Sequence, residues 1–188
     1  MNDLILIGPQ GSGKGTQGKI LAQKFGFTIF ETGGELRRLA KEDSDLGRKI
    51  KEITTRGDLV SNEIVMEIVA NFLENLPKNS TVIFDGIPRS LEQYESLKNL
   101  LESKNRNFSA LEISVPEDVT FDRLKKRAEI EGRADDTPEA IQKRLKNYWE
   151  FTAPILDKFR DSGKLISVDG TGNLEEISAE ICEVLNLK

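Results

Sequence analysis

Short apolar runs and longer amphipathic stretches alternate along the chain. Five runs rich in β-branched or aromatic residues have the length and composition of buried strands. They are Leu4–Ile7, Phe27–Phe30, Thr81–Asp85, Leu111–Val115 and Lys164–Val168. The stretches between them carry apolar residues at helical spacing, which is typical of helices with one buried face. Strands that alternate with helices predict an α/β fold with a five-stranded parallel sheet flanked by helices.

The first strand leads directly into a glycine-rich turn. Residues 8–16 read GPQGSGKGT, and a helical pattern runs from Lys14 to Phe25. Glycines let successive backbone N–H groups turn toward one point, and the N-terminus of a helix adds partial positive charge there. Lys14 can reach terminal phosphates, and Thr16 can hold a phosphate oxygen or the water shell of a metal. The segment predicts a phosphate-binding loop and a P-loop NTPase fold, although Gly15 stands where the strict Walker pattern has Ser or Thr.

The stretch 32–60 carries few apolar side chains. The segment Thr32-Gly33-Gly34 is predicted to break the chain before a helix at about 35–42, and a second helix is predicted at about 45–55. Ser61 is placed to cap the next helix, which runs to about Leu76. We expect 32–60 to form a small helical flap on the main core.

The third strand ends in a carboxylate. Asp85 is followed by Gly86-Ile87-Pro88-Arg89, beyond the carboxyl end of a buried strand, where ligands of doubly wound sheets gather. An aspartate there suits the hydration shell of Mg²⁺ bound to a nucleotide. A helix cap or Asx turn is the alternative role for Asp85.

Two later segments have local explanations in terms of helix ends. Ser90-Leu91-Glu92-Gln93 fits a capping box, which would give Gln93 a structural role. Thr137-Pro138 begins a long helix that continues to about Arg160, with an interruption near Ala153-Pro154.

Arginines suited to phosphate binding are spread over the chain. Arg123 and Arg127 are four residues apart on one predicted helix and therefore share a face. Arg133 lies in a polar connection and Arg144 on the helix that follows it. Taken singly, each is better explained as solvated surface charge. Taken with the phosphate loop, they suit two sets of phosphates that approach from opposite sides.

The composition narrows the possible chemistry. The 188 residues carry a formal net charge of −5, no histidine and a single cysteine, Cys182. The absence of histidine excludes Ser-His-Asp triads, Cys-His dyads and HExxH zinc sites, whereas phosphoryl transfer can depend on Lys, Arg and Mg²⁺. The net charge and the dispersed arginines argue against nucleic-acid binding. No stretch resembles a membrane span or signal peptide, so we expect a cytoplasmic protein without disulfides.

Seven segments resemble the adenylate kinase family of nucleoside monophosphate kinases, in that family's order and spacing. They are GPQGSGKGTQ, ETGGELRR, RGDLVSNE, DGIPRSLEQ, DRLKKRAEIEGRADDT, KRLKNYWEFTAPI and VDGTGN. The resemblance covers essentially the whole chain. It implies reversible phosphoryl transfer from MgATP to AMP, giving two ADP in adenine nucleotide homeostasis, by a protein that is usually a monomer.

The resemblance also implies how the residues are divided between the two nucleotides. The residues expected to bind ATP are Gly11, Ser12, Gly13, Lys14, Gly15, Thr16, Arg123, Arg127 and Gly172. The residues expected to bind AMP are Thr32, Arg37, Asp58, Leu59, Val60, Gly86, Arg89, Gln93, Arg133 and Arg144. The transfer itself is expected to depend on Lys14, Arg89, Arg127, Arg133 and Arg144, with Asp85 holding Mg²⁺ through water.

The family's division into parts carries over as well. It implies a core of 1–31, 61–128 and 137–188, an AMP-binding flap of 32–60 and a short lid of 129–136. So short a lid leaves no room for the cysteine cluster that holds zinc in some long-lid members, and we expect no zinc site.

Several positions depart from the family pattern. Gln10 stands where members often have proline or a small residue. Glu31 stands where serine is usual, and Gly34 where an aspartate near the metal is usual. Ile87 replaces a phenylalanine and Trp149 a frequent histidine, and we interpret both as packing changes.

Two alternatives stay open. A UMP/CMP kinase shares the scaffold, but such enzymes tend to have alanine in place of Thr32 and asparagine in place of Ser90, whereas Thr32 with Gln93 favours an adenine edge. The second alternative is a nucleotide-binding regulatory protein that has lost turnover. Gly34 favours it, and the retained lysine and arginines speak against it.

Overall fold

The structure is a computed structural model that describes residues 2–131 and 137–187, with only the backbone of 127–131. Its strands are β1 (Asp3–Ile7), β2 (Thr28–Glu31), β3 (Val82–Asp85), β4 (Phe108–Ser114) and β5 (Leu165–Asp169). Its helices are α1 (Lys14–Phe25), α2 (Thr32–Leu39), α3 (Asp45–Thr55), α4 (Asn62–Glu74), α5 (Leu91–Ser103), α6 (Glu117–Glu131), α7 (Pro138–Asn147), α8 (Ile155–Asp161) and α9 (Leu174–Val184). None of the described helices is long and apolar enough to cross a membrane.

The five described strands form one parallel sheet in the order β2-β3-β1-β4-β5. The sequence-based prediction of an α/β fold with a parallel sheet between helices is therefore confirmed. The strands β2 and β3 lie on one side of β1 in the sheet. The chain then crosses to the other side, where β4 and β5 lie. This reversal opens a crevice above the carboxyl end of β1, where doubly wound sheets bind their ligands.

Alternation along β1 explains why both faces of the sheet are covered. Leu4 and Leu6 pack with apolar residues of α1 and α9, whereas Ile5 and Ile7 pack with residues of α4, α5 and α8. All four side chains are at most 2% exposed. Successive side chains of a strand point to opposite faces, so a run that is apolar throughout needs a layer of helices on each face.

Two elements begin about three residues before their predicted starts. The helix α2 begins at Thr32 rather than at about Glu35, so Gly33 and Gly34 belong to its first turn instead of breaking the chain. The strand β4 begins at Phe108, which pairs with Asp3 of β1. Between α7 and α8 the chain makes a π-helical turn over Tyr148–Thr152, close to the predicted interruption.

The predicted helix caps differ in their hydrogen bonds. Ser90 caps α5, because its side chain accepts a hydrogen bond from the N–H of Gln93. The return bond of a capping box is missing, since Gln93 Oε1 accepts from the N–H of Arg89, at 2.8 Å. Ser61 occupies the N-cap position of α4, but its side chain makes no capping bond to the helix backbone.

The segment 32–60 is tied to the main core by a few apolar side chains. Leu36, Ile50 and Val60 are at most 7% exposed and belong to the cluster that includes Phe30 and Phe84 of the sheet. The helices α2 and α3 also pack against each other.

Candidate nucleotide-binding site

A cleft of about 760 Å³ lies above the carboxyl ends of β1, β2 and β3. Its walls come from the glycine-rich turn, from α2 and the α3–α4 connection, and from α6, α7 and the start of α9. Among the described residues that line it, six are Lys or Arg and three are Asp or Glu. The cleft therefore attracts anions, although the whole chain carries a net charge of −5.

The glycine-rich turn is shaped by its backbone. Gly13 is the N-cap of α1, with φ at +97°, a conformation that costs side-chain-bearing residues strain. A Cβ at Gly8 would lie 2.5 Å from the carbonyl oxygen of Ile113, so the turn passes too close to β4 for a side chain there. The start of α1 lines the cleft, and the first N–H groups of a helix have no carbonyl partner within it, so they can bind an anion there.

Lys14 extends back along this turn. Its Nζ donates to the carbonyl oxygens of Gly8, at 2.6 Å, and Pro9, at 2.9 Å. These bonds hold a full positive charge inside the turn, where it adds to the partial charge of the helix N-terminus. The turn therefore presents both backbone donors and a fixed cation to a bound phosphate.

Three guanidinium groups meet on the other side of the cleft. Arg37 lies on α2, Arg89 in the β3–α5 connection and Arg144 on α7. Burial lowers the pKa of Arg89 from its usual value, the positive charges of Arg144 and Arg37 lower it further, and only Asp85 opposes the shift. The group stays charged at neutral pH, but its surroundings favour a bound anion.

Arg89 is held by its neighbours. Its Nε donates to the carbonyl oxygen of Gly86, at 2.9 Å, and its own carbonyl oxygen accepts from Thr152 Oγ1, at 2.9 Å. A Cβ at Gly86 would lie 3.0 Å from Arg89 Nη2, and one at Gly33 would lie 3.1 Å from Arg37 Nη1. These two glycines therefore leave room for the guanidinium groups.

The helix α7 contacts the end of α3 and the α3–α4 connection beside this cluster. Arg144 Nη2 lies 3.5 Å from the carbonyl oxygen of Thr54, and Asn147 Nδ2 donates to that of Gly57, at 3.2 Å. Lys143 Nζ lies 2.6 Å from Asp58 Oδ1. The hydrogen bond from Lys143 lowers the pKa of Asp58, with a smaller contribution from Arg56.

Some polar groups that line the cleft lack protein partners. Thr32 is 3% exposed and Gln17 1%, and the buried atoms Thr32 Oγ1 and Gln17 Oε1 have no hydrogen-bond partner among the described residues. Leaving such a group unpaired costs about 1–3 kcal/mol, which a bound ligand can offset. Gln93, which is 4% exposed, reaches the same cleft from the start of α5.

Apolar side chains also line the end of the cleft at the start of α9. Leu124, Leu174 and Ile177 line it together with Gly172. Arg123 borders this end and donates from Nη1 to the carbonyl oxygen of Gly170, at 2.9 Å. A nucleotide base, which has flat apolar faces and polar edges, suits such a surface.

Two carboxylates stand between the phosphate-binding turn and the arginine cluster. Asp85 and Glu31 end β3 and β2 and are partners in the register of the sheet. Nucleotide-bound Mg²⁺ takes one or two carboxylates plus phosphate oxygens and water, so this donor set fits it. No group of three or more potential metal ligands was found in the described part of the chain.

The structure brings together the predicted site residues whose side chains it describes. Every one of them, from Gly11 to Gly172, lines the cleft. The side chain of Arg127 and all of Arg133 lie outside the described residues.

Sequence reasoning missed other lining residues, notably Gln17, Asn147 and Thr152. Asn147 lies one turn beyond Arg144 and could have been found from helical spacing. Trp149 is 45% exposed, outside the buried core, and its ring makes a T-shaped contact with that of Tyr148. Ile87 is 1% exposed and does belong to the core.

The fold and the cleft together define a P-loop protein of the phosphate-transferring class. The sequence model of the family described as adenylate kinase matches residues 6–164. Adenylate kinases from Phocaeicola vulgatus and Maricaulis maris are 38% and 39% identical to the chain and cover 96% and 99% of it. The chain in turn covers 96% and 100% of those relatives. The chain belongs to the adenylate kinase family, and the predicted class of nucleoside monophosphate kinase is confirmed.

Proposed function

We propose that the protein catalyses the reversible transfer of a phosphoryl group from MgATP to AMP, giving two ADP. The observation that carries this proposal is that two different phosphate-binding arrangements face one cleft. The glycine-rich turn with Lys14 lies on one side, and Arg37, Arg89 and Arg144 lie on the other. Two phosphate-bearing substrates bound there would meet end to end, as phosphoryl transfer requires.

Each residue then has a definite task. Gly11, Ser12, Gly13, Lys14, Gly15 and Thr16 would hold the ATP phosphates, and Arg37 with Arg89 would clamp the AMP phosphate. Asp85 would hold Mg²⁺ through water, and the metal would neutralise charge on the phosphate oxygens. Lys14, Arg89 and Arg144 would stabilise the charge of the transferred group from fixed positions.

The bases would lie at the two ends of the cleft. Arg123 and Gly172 would contact the ATP base beside the apolar end. Thr32 and Gln93 would read the AMP base, with support from the backbone of 58–60. The buried Thr32 Oγ1, which has no partner among the described residues, supports a role in reading the acceptor base, because a polar edge of that base would supply the missing hydrogen bond.

The flap of 32–60, the lid of 129–136 and the arginines that accompany them belong to the same proposal. We propose that 32–60 closes over AMP and that 129–136 closes over ATP, so that water cannot take the phosphoryl group. Arg127 and Arg133 would contact the phosphates when the lid closes. A monomer in the cytoplasm, without structural zinc, remains our prediction.

The test is ADP formation by the purified protein from MgATP with AMP, CMP, UMP or GMP offered separately. We expect rapid ADP formation with AMP alone. A preference for CMP or UMP would keep the transfer mechanism and overturn the base assignment. Tight nucleotide binding without turnover for any acceptor would instead favour a regulatory protein.

A further inference from the structure

We propose that Glu31 is a second carboxylate, beside Asp85, that faces the metal carried by the nucleotide. This inference rests on the proposed function, since it concerns the metal of the MgATP complex. Both side chains would act through water, as carboxylates around nucleotide-bound Mg²⁺ commonly do. The affinity of the complex for metal would then depend on Glu31 as well as on Asp85.

The sheet brings the two carboxylates together. Glu31 and Asp85 are paired in the parallel register of β2 and β3, and each is the last residue of its strand. Both side chains reach the start of α1. A Cβ at Gly15 would lie 3.2 Å from Asp85 Oδ2 and 3.8 Å from Glu31 Oε1. Both oxygens therefore lie within 4 Å of one point beside Gly15, the residue that follows Lys14.

Gly34 leaves the space that Glu31 occupies. A Cβ at Gly34 would lie 3.3 Å from Glu31 Cβ and 3.7 Å from Glu31 Oε2. A carboxylate at 34 and a glutamate at 31 would compete for one volume and would repel each other. The chain therefore carries one acidic group at this place, and it comes from the end of β2 rather than from α2.

The ion pair with Lys19 is a competing explanation for Glu31. Lys19 Nζ lies 3.2 Å from Glu31 Oε1, but its side chain is 64% exposed. A pair so exposed contributes little to stability and is screened by salt. Glu31 also lines the cleft, and its Oε1 lies 3.8 Å from the position of a Cβ at Gly15, so the ion pair with Lys19 does not account for its place beside the phosphate-binding turn.

The direct test measures metal affinity rather than turnover. Mn²⁺ is titrated into the protein with the β,γ-imido analogue of ATP, and free Mn²⁺ is followed by electron paramagnetic resonance. Removal of a group that orients a metal typically costs about 10–100-fold in affinity. We expect Glu31→Gln to weaken Mn²⁺ binding by about tenfold, while affinity for the analogue without metal stays the same.

Lys19→Met is the matched control, because it removes the ion pair and keeps the carboxylate. We expect it to leave Mn²⁺ affinity unchanged. Wild-type Mn²⁺ affinity in Glu31→Gln would overturn the inference, and so would equal losses in Glu31→Gln and Lys19→Met.

A second variant moves the carboxylate within the same volume. We expect Glu31→Ser alone to weaken Mn²⁺ binding, and Glu31→Ser with Gly34→Asp to restore it to within about threefold of wild type, since the acidic group returns from α2. Failure of the double variant to recover affinity would contradict the shared-volume argument. The proposed function fails separately, if wild-type protein makes no ADP with any acceptor.

Discussion

Buried charged side chains lie at both ends of the parallel sheet. They form an ion pair at one end and a cluster of like charges at the other. At the amino end, Asp3 and Arg106 form an ion pair in which the Asp3 side chain is 4% exposed. At the carboxyl end, Arg89 lies beside two further guanidinium groups and one carboxylate. The pKa of Arg106 is raised by the hydrogen bond and charge of Asp3, whereas burial and like charges lower the pKa of Arg89.

The amino end is fully paired. Asp3 is 3% exposed, and its carboxylate accepts two bonds of 2.6 Å from Arg106 and one of 2.9 Å from the N–H of Val82. Arg106 also donates to the carbonyl oxygen of Ser80, at 2.6 Å. The pair thus joins β1 to the residues that precede β3 and β4.

The charges of Asp3 and Arg106 stabilise the fold, whereas those of the arginine cluster face the cleft. A satisfied buried pair contributes to stability only as long as both partners remain. A cluster of like charges does the reverse, because it costs stability until an anion binds. Arginines at the two ends should therefore respond differently to the same substitution.

The largest effect is expected from Arg89→Ala. Loss of an arginine that stabilises a transferred phosphoryl group costs about 10³–10⁵ in kcat. The free energy of unfolding should stay the same or rise, since a partly buried like charge is removed. Steady-state ADP formation and urea unfolding measure the two quantities. Arg38→Ala is the control, because Arg38 is exposed on α2, is not among the residues that line the cleft, and pairs with Glu35 and Glu42. A loss of stability in Arg89→Ala would show that the cluster holds the fold together.

Arg106→Ala should show the opposite pattern. Asp3 would remain buried without its cation, and breaking such a pair typically costs about 3–5 kcal/mol in the free energy of unfolding. The kcat of the folded fraction should stay near wild type, because the pair lies at the end of the sheet away from the cleft. Arg48→Ala removes an exposed arginine bonded to Asp43 and Asp45 and should change stability little. Equal stability of Arg106→Ala and Arg48→Ala would remove the distinction between the two ends.

Arg106 and Arg89 also differ in how far their roles could be predicted from the sequence. Asp3 and Arg106 are 103 positions apart, and neither belongs to a recognisable motif, so nothing local reveals their bond. Arg89 follows a buried strand that ends in Asp85, a position where ligands are expected. Its grouping with Arg37 and Arg144 came from family resemblance, because the three lie on separate elements that only the tertiary fold brings together.

The phosphate-binding turn could be predicted from the sequence because its determinants are contiguous. The start of α2 could not, because Gly33 and Gly34 are typical helix breakers. In the structure these glycines leave space for Arg37 and Glu31, a reason that depends on neighbouring side chains. Helix propensity was overridden by the packing of the site.

Two glycines with positive φ lie at opposite ends of α1. Gly13 and Gly26 have φ values of +97° and +69°, and a Cβ at either would meet nothing within 4 Å. Alanine at each should therefore cost a similar amount of stability, about 1–2 kcal/mol. Only Gly13→Ala should also raise the KM for ATP, by about tenfold, if the turn's backbone contributes about 1.4 kcal/mol to binding. An equal rise in KM for Gly26→Ala would mean that general loosening of α1, rather than the turn itself, controls ATP binding.

The smallest effect is expected for two buried threonines and should differ in sign. Thr120 is fully buried and donates to the carbonyl oxygen of Glu117, at 2.6 Å, so Thr120→Val should lower the free energy of unfolding by about 1 kcal/mol. Thr32 Oγ1 has no partner, and Thr32→Val should raise it by about 1 kcal/mol, because an unpaired hydroxyl is removed from the interior. The same Thr32→Val change should raise the KM for AMP, since the hydroxyl bonds only when the acceptor binds. Urea unfolding with and without AMP measures both consequences, and AMP should stabilise Thr32→Val less than wild type. A loss of stability in both variants would show that the Thr32 hydroxyl already has a hydrogen-bond partner before AMP binds. Its role would then be structural rather than in binding the acceptor.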